Sequence, residues 1–97
     1  MDKNTVVDLL HTHRDELIER FGVKRLELFG SAARDELRND SDIDILVEFT
    51  GPATFDGYMD LKFHLERVLG RTIDLVTRKG LRAELRAGVD KESIRVA

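Results

Sequence analysis

The sequence contains no cysteine, a single proline and no long run of apolar residues. Without cysteine, the chain forms no disulfide bonds and offers no thiolate ligands to a metal ion. No segment approaches the roughly 20 apolar residues of a membrane-spanning helix, and the first residues, MDKNTVVDLL, lack the apolar core of a signal peptide. These absences predict a soluble, cytoplasmic protein without membrane contact.

The chain also has no large excess of charge of one sign, because its 16 lysine and arginine residues nearly balance its 19 aspartate and glutamate residues. This balance favours solubility and provides no basic face for direct contact with nucleic acid. The length of 97 residues, with no internal repeat and no flexible linker, predicts a single domain over residues 1–97.

Hydrophobic periodicity predicts helices that alternate with strands. The apolar residues from Thr5 to Phe21 recur at helical spacing, and Gly22 follows as an end signal. The predicted strands are residues 23–29, 42–49 and 71–77, and the predicted helices are residues 5–21, 32–37, 54–69, 81–87 and, more weakly patterned, 91–96. The resulting order, αβαβαβα, predicts an α/β (α+β) fold in which helices flank a small mixed sheet.

Two aspartates open the clearest predicted strand, residues 42–49. Asp42 and Asp44 are two residues apart, so in a strand their side chains project from the same face, with α-carbons roughly 6.5 Å apart. Carboxylates this close repel each other and raise each other's pKa unless a cation lies between them. Mg²⁺ prefers carboxylate oxygens and often uses one or two of them together with substrate phosphates. The pair therefore predicts a magnesium site, against the simpler interpretation of solvated acids on an exposed strand.

A third aspartate, Asp74, lies within the apolar strand predicted at 71–77. An unpaired acid in an apolar environment is costly, which favours a functional reason for its presence. If this strand lies beside 42–49, Asp74 joins Asp42 and Asp44. Three such carboxylates can hold two metal ions, one activating an attacking oxygen and one binding a departing triphosphate.

A glycine–serine pair, Gly30-Ser31, follows the predicted strand 23–29. Glycine at the end of a strand allows the backbone to approach a ligand closely. The Ser31 hydroxyl and the amides at the start of the following helix are suitable donors to phosphate oxygens. Arg34, one turn further, can neutralise phosphate charge with its planar guanidinium.

The spacing of these elements resembles a known superfamily. Gly30-Ser31, ten intervening residues and then Asp42-Ile-Asp44 resemble the nucleotidyltransferases with a DNA polymerase β-like palm. The chain is more closely similar to the small stand-alone minimal nucleotidyltransferases (MNT), and the resemblance covers nearly all of it.

In MNT proteins the glycine–serine motif often continues as Gly-Ser-Arg-Ala-Arg-Gly. Here Ala32 stands in place of the first arginine and Asp35 in place of the glycine, while Arg34 matches the second arginine. The resemblance therefore retains Arg34 as a nucleotide-binding residue and removes one positive charge from the phosphate region.

The resemblance implies a role for each remaining motif residue. Gly30 and Ser31 are expected to bind the triphosphate of ATP, and Asp42 and Asp44 to bind two Mg²⁺ ions. Asp74 is expected to help bind the catalytic metal and to activate the acceptor hydroxyl.

The resemblance also implies a partner. Many MNT proteins pair with a HEPN-domain RNase toxin, and some act as antitoxins by transferring AMP from ATP to a tyrosine of that toxin. The corresponding expectation here is a Mg²⁺-dependent protein adenylyltransferase that forms a hetero-oligomer with its cognate HEPN toxin.

The sequence leaves two alternatives open. The same fold can neutralise a toxin by complex formation alone, with the acids complementing a basic surface. Transfer to a small molecule is the other alternative, although enzymes of that kind usually add a domain that builds the acceptor pocket. The nucleotide preference, the acceptor and the number of AMP groups transferred are not specified by these motifs.

The three histidines give no metal-site pattern at the sequence level. His11 and His13 are two residues apart on one predicted helix and therefore do not share a face. His64 lies in the apolar stretch of the helix at 54–69 and is interpreted as a residue at the edge of the core.

Overall fold

A computed structural model describes every residue from Met1 to Ala97. The elements are α1 (Lys3–Thr12), α2 (Arg14–Phe21), β1 (Val23–Phe29), α3 (Gly30–Ala33), β2 (Ile43–Phe49), α4 (Phe55–Leu69), β3 (Ile73–Thr77), α5 (Ala83–Glu92) and β4 (Ile94–Arg95). The strands form one sheet in the order β3-β2-β1-β4, with β2 and β3 parallel and the other pairs antiparallel. The predicted mixed sheet flanked by helices is confirmed. None of the helices combines the length and apolarity that crossing a membrane requires.

The two faces of the sheet are covered differently, because side chains alternate along each strand. One face packs on α1, α2 and α4 and forms the main core. Its fully buried strand residues are Val23, Leu26, Leu28, Ile43, Ile45, Val47 and Ile73. The opposite face is covered in part by α5 and the residues just before it, where Val89 of α5 and Leu81 pack on Leu46 as a second, smaller cluster. Most of the apolar surface of the sheet is therefore buried on one face. The other face is less covered where β2 and β3 begin, and we call this the open end of the sheet.

The region predicted as one helix from Thr5 to Phe21 is two helices. The α1 helix begins at Lys3, because the carboxylate of Asp2 accepts a hydrogen bond from the Thr5 amide at 2.8 Å and caps it. The chain leaves helical geometry at His13 before α2 begins. The predicted start at Thr5 is therefore wrong, whereas the predicted end at Gly22 is confirmed.

The helix predicted at residues 91–96 is also wrong. Ser93 is extended, and Ile94 and Arg95 form β4, pairing with Leu28 and Glu27 of β1. The free edge of β1 offers hydrogen-bond partners that a local sequence pattern cannot reveal. Pairing with β4 satisfies backbone N–H and C=O groups of β1 that would otherwise be unpaired.

Asp35 is the one residue other than glycine with a positive φ, at 59°. It occupies the position where MNT proteins often have glycine. Its side chain accepts a hydrogen bond from the Lys3 amide at 2.9 Å, which ties the start of α1 to the segment after α3. Aspartate tolerates this left-handed conformation better than most residues do.

We expect Asp35→Gly to be more stable than Asp35→Ala by about 1 kcal/mol. Both variants lose the contact to Lys3, so their difference isolates the cost of placing a Cβ atom at positive φ. Urea unfolding of the two variants measures that difference directly. Equal stabilities would show that the backbone at this position relaxes at no cost.

Candidate active site

The three predicted aspartates come together at the open end of the sheet. Asp44 of β2 and Asp74 of β3 are direct partners in the parallel ladder, and adjacent strands lie about 4.8 Å apart. Asp42 immediately precedes β2, two residues from Asp44. The predicted pairing of the two strands is therefore correct, and it aligns the acids side by side.

The pKa of Asp44 reports the electrostatics of this cluster. Burial of the carboxyl, together with the negative charges of Asp74 and Asp42, raises the pKa of Asp44 from its ordinary value of 3.8 to about 6. A group in this environment gains strongly from a nearby cation, because a cation offsets both the lost hydration and the repulsion.

Asp74 is exposed rather than enclosed. The sequence argument that an acid here would be buried at a cost is therefore wrong. β3 is an edge strand, and the Asp74 carboxylate stays hydrated while Ile73 and Leu75 are buried in the core. An exposed position leaves this carboxylate accessible to a second molecule.

Gly30 lies in direct contact with the aspartate cluster. Phe29 is the ladder partner of Asp44, so the next residue, Gly30, sits against that carboxylate. A Cβ atom built on Gly30 would lie 2.0 Å from Oδ2 and 2.9 Å from Cγ of Asp44, and the residue has a φ of +68°. Both the space and the backbone conformation therefore require glycine here.

Ser31 is half-buried in the first turn of α3, next to Gly30. The helix spans only Gly30–Ala33, which is earlier and shorter than the predicted segment 32–37. Its dipole is correspondingly small, so any phosphate contact depends on individual amides and the Ser31 hydroxyl. Ala32, at the position of the family arginine, is 1% exposed and contributes packing to the core.

Arg34 follows α3 and is held by two carboxylates. Its Nη1 donates to Oε2 of Glu92 at 2.9 Å, and its Nε donates to Oε2 of Glu36 at 3.4 Å. The hydrogen bond to Glu92, followed by that to Glu36, raises the pKa of Arg34 above its ordinary value. The guanidinium is close enough to Asp44 to oppose the rise in the pKa of that carboxyl.

Two residues at this site were not identified from the sequence. Glu92, at the end of α5, contacts both Gly30 and Arg34. Arg71 donates to the carbonyl oxygen of Ser41 at 2.7 Å and also to that of Arg38, so it braces the turn that precedes the aspartate pair. These contacts join residues 30 to 62 positions apart in the chain, and no local pattern indicates them.

The structure also brings together three other potential ligands, on the opposite side of the sheet. Side-chain atoms of His13, Glu16 and His64 lie within 4.8 Å of one another. Because α1 ends before His13, the argument that treated His11 and His13 as parts of one helix does not apply. His64 is buried, as predicted, and its Nε2 lies 2.6 Å from Oε1 of Glu16. Burial lowers the pKa of His64, with Glu16 opposing this and Arg20 adding to it.

The aspartates lie on an open face rather than inside a cavity. A cavity of about 370 Å³ is found near the far ends of β2 and β3, lined by residues such as Glu48, Arg78 and Arg86. Another of about 400 Å³ lies beside His64 on the helical side. Neither of these two cavities is lined by Asp42, Asp44 or Asp74.

A mixed sheet with acids on two adjacent parallel strands, beside a strand that is followed by glycine–serine, is the arrangement expected from the resemblance to nucleotidyltransferases. Consistent with this, the chain belongs to the nucleotidyltransferase domain family, whose pattern matches residues 10–96. The sequence resemblance to this family is thereby confirmed.

Individual relatives narrow the similarity to the MNT group. The chain is 37% identical to the protein adenylyltransferase MntA of Thermococcus cleftensis over 91 residues, which is 94% of this chain and 92% of the relative. It superposes on the solved structure of a minimal nucleotidyltransferase with a TM-score of 0.82 and 39% identity, covering 97% of this chain and 95% of the other.

A more distant structure shares the fold. It is a tri-AMPylated Shewanella oneidensis HEPN toxin in complex with an MNT antitoxin, with a TM-score of 0.67, 20% identity, and coverage of 94% of this chain and 71% of the other. At this level of identity the similarity establishes the fold alone.

Proposed function

We propose that this protein is a Mg²⁺-dependent protein adenylyltransferase that transfers AMP from ATP to a tyrosine hydroxyl of a HEPN-domain toxin and so acts as its antitoxin in the cytoplasm. The observation that carries the proposal is the alignment of Asp44 with Asp74 on adjacent strands, with Gly30 packed against Asp44.

The residues present suit magnesium. The candidate ligands Asp42, Asp44 and Asp74 supply only oxygen donors, which hard divalent ions prefer. The pKa of Asp44 is raised because the positive charge of Arg34 does not offset burial and the negative charges of Asp74 and Asp42. Magnesium held there would neutralise phosphate charge and lower the pKa of a bound hydroxyl.

The proposed reaction forms one bond to phosphorus, breaks another and transfers one proton. The acceptor hydroxyl oxygen attacks the α-phosphorus of ATP, the bond from that phosphorus to the bridging oxygen of the β-phosphate breaks, and pyrophosphate leaves with the bonding electrons. Asp74, which is exposed, receives the acceptor's proton. In this proposal Ser31 and Arg34 hold the β- and γ-phosphates by hydrogen bonds and charge.

A protein acceptor accounts for the open site. With no enclosing wall around the aspartates, a macromolecular partner would itself exclude water and position its hydroxyl. The name of the Thermococcus cleftensis relative supports a protein acceptor, and the composition of the Shewanella oneidensis complex supports a HEPN toxin.

The test is transfer of label to the product of the adjacent reading frame, which the proposal expects to be a HEPN-domain protein. With Mg²⁺ present, ATP labelled at the α-phosphate is expected to label the partner, whereas ATP labelled at the γ-phosphate is not. Removal of Mg²⁺ by EDTA should abolish labelling, and mass spectrometry should locate AMP on a tyrosine.

Two outcomes would favour the other candidates. Neutralisation of the partner without any label would indicate a binding module that acts by complex formation. Label that appears only on a small-molecule acceptor would contradict a protein substrate.

A further inference from the structure

Glu92 bridges the two ends of the short helix α3. Its Oε1 accepts from the Gly30 amide at 3.2 Å, and its Oε2 accepts from Nη1 of Arg34 at 2.9 Å. The first amides of a helix have no partner within the helix. One carboxylate therefore satisfies the Gly30 amide and fixes the side chain of Arg34 at the same time.

The placement of Glu92 depends on these contacts. A carboxylate in the last turn of a helix faces the negative end of the helix dipole, so α5 by itself disfavours it there. The rest of α5 is held independently, because Val89 packs on Leu46 and Asp90 accepts from Nη2 of Arg78 at 2.8 Å. The helix thus presents Glu92 to Gly30 and Arg34 from a fixed support.

We infer that Glu92 is a positioning residue of the phosphate site, which shapes the Gly30–Arg34 segment and aims Arg34 at the nucleotide phosphates. This inference rests on the proposed function. Glu92 carries negative charge and does not itself bind phosphate. It acts by holding the backbone at Gly30 and the guanidinium of Arg34 in the positions that they need when the triphosphate of ATP binds.

The geometry predicts an effect on ATP binding that depends on Arg34. Glu92→Gln keeps one carbonyl oxygen for the Gly30 amide but loses the charge-assisted bond to Arg34, so we expect the KM for ATP to rise about fivefold while kcat changes less than about twofold. If Glu92 acts through Arg34, the double variant Arg34→Gln/Glu92→Gln should match Arg34→Gln alone.

The experiment measures AMP transfer at varied ATP concentration for these variants. Glu84→Gln is the matched control, because Glu84 is an exposed carboxylate on the same helix, and its KM should equal that of the wild type. In parallel, exchange of the Gly30 amide in the nucleotide-free protein is followed by NMR. Glu92→Ala, which removes both acceptor oxygens, should accelerate that exchange relative to the control.

Each contrary result has a distinct meaning. A Glu92→Gln variant that binds ATP as tightly as, or more tightly than, an active wild type would overturn the inference, and tighter binding would show that Glu92 competes with phosphate. Additive effects of the two substitutions would overturn action through Arg34. A wild type that binds no nucleotide, despite an accelerated Gly30 exchange in Glu92→Ala, would overturn the proposed function and the phosphate role together, leaving a purely structural contact.

Discussion

Asp44→Asn is expected to reduce AMP transfer by at least about 100-fold, because it removes the charge of a proposed Mg²⁺ ligand at the centre of the carboxylate cluster. Asp42→Asn should act in the same direction. The measurement is the initial rate of label transfer at saturating ATP and Mg²⁺, so that weaker ATP binding does not account for the loss.

The same substitution should stabilise the metal-free protein. Because the pKa of Asp44 is raised in the folded state from 3.8 to about 6, the folded protein binds this proton more tightly than the unfolded chain does. The associated stability is full below pH 3.8 and is lost as the pH rises through about 6. At pH 7.5 in EDTA, Asp44→Asn should therefore be more stable by about 1 kcal/mol, after allowance for solvent screening of a half-exposed carboxyl.

Asp40→Asn is the control for both effects. Asp40 is an exposed residue in the turn before Asp42, so its substitution should leave the transfer rate and the stability nearly unchanged. The advantage of Asp44→Asn in urea unfolding should shrink or reverse when Mg²⁺ is added, since only the wild type retains the full ligand set. An Asp44→Asn variant with normal transfer would rule out the metal role.

The second large effect is expected for Gly30→Ala. A Cβ atom at this position would lie 2.0 Å from Oδ2 of Asp44, so the carboxylate must rotate out of the cluster. We expect a loss of transfer of about 100-fold or more, because displacement of a reacting group by an ångström is sufficient for such losses. The positive φ adds a cost of about 1 kcal/mol in stability.

Gly22→Ala separates these two contributions. Gly22 has nearly the same φ, +66°, but a Cβ atom there meets nothing within 4 Å. Gly22→Ala should lose about 1 kcal/mol of stability in urea unfolding from the positive φ alone, and Gly30→Ala at least as much, because it also meets Asp44. Only Gly30→Ala should lose transfer. Comparable activity in the two would show that Asp44 accommodates the methyl group without leaving its position.

Several features of the fold follow from local patterns. The alternation of residues 42–49 is matched by β2, and the helix from Thr54 to Gly70 is matched by α4 with both of its caps. In both regions the local signals agree with the burial that the sheet imposes. The strand at Ile94 was not predicted, because it is stabilised by pairing with β1, far away in the chain. The break at His13 was not predicted either, because the apolar spacing continues through it.

The amino-acid sequence by itself determined which chemical groups are available and how neighbouring ones are oriented. The two-residue spacing of Asp42 and Asp44 predicts that they lie on one side of the chain at the start of a strand, and the position of Gly30-Ser31 after a strand predicts a phosphate-binding turn. Such relations depend only on strand geometry and on the conformational range of glycine.

Only the tertiary structure decided how these groups meet. The parallel register places Asp74 directly beside Asp44, and the edge position of β3 keeps Asp74 exposed. The packing of α5 brings Glu92 to Gly30, 62 residues away. These relations arise from the pairing of strands and the burial of helix faces, which depend on the whole chain at once and are not encoded in any short segment.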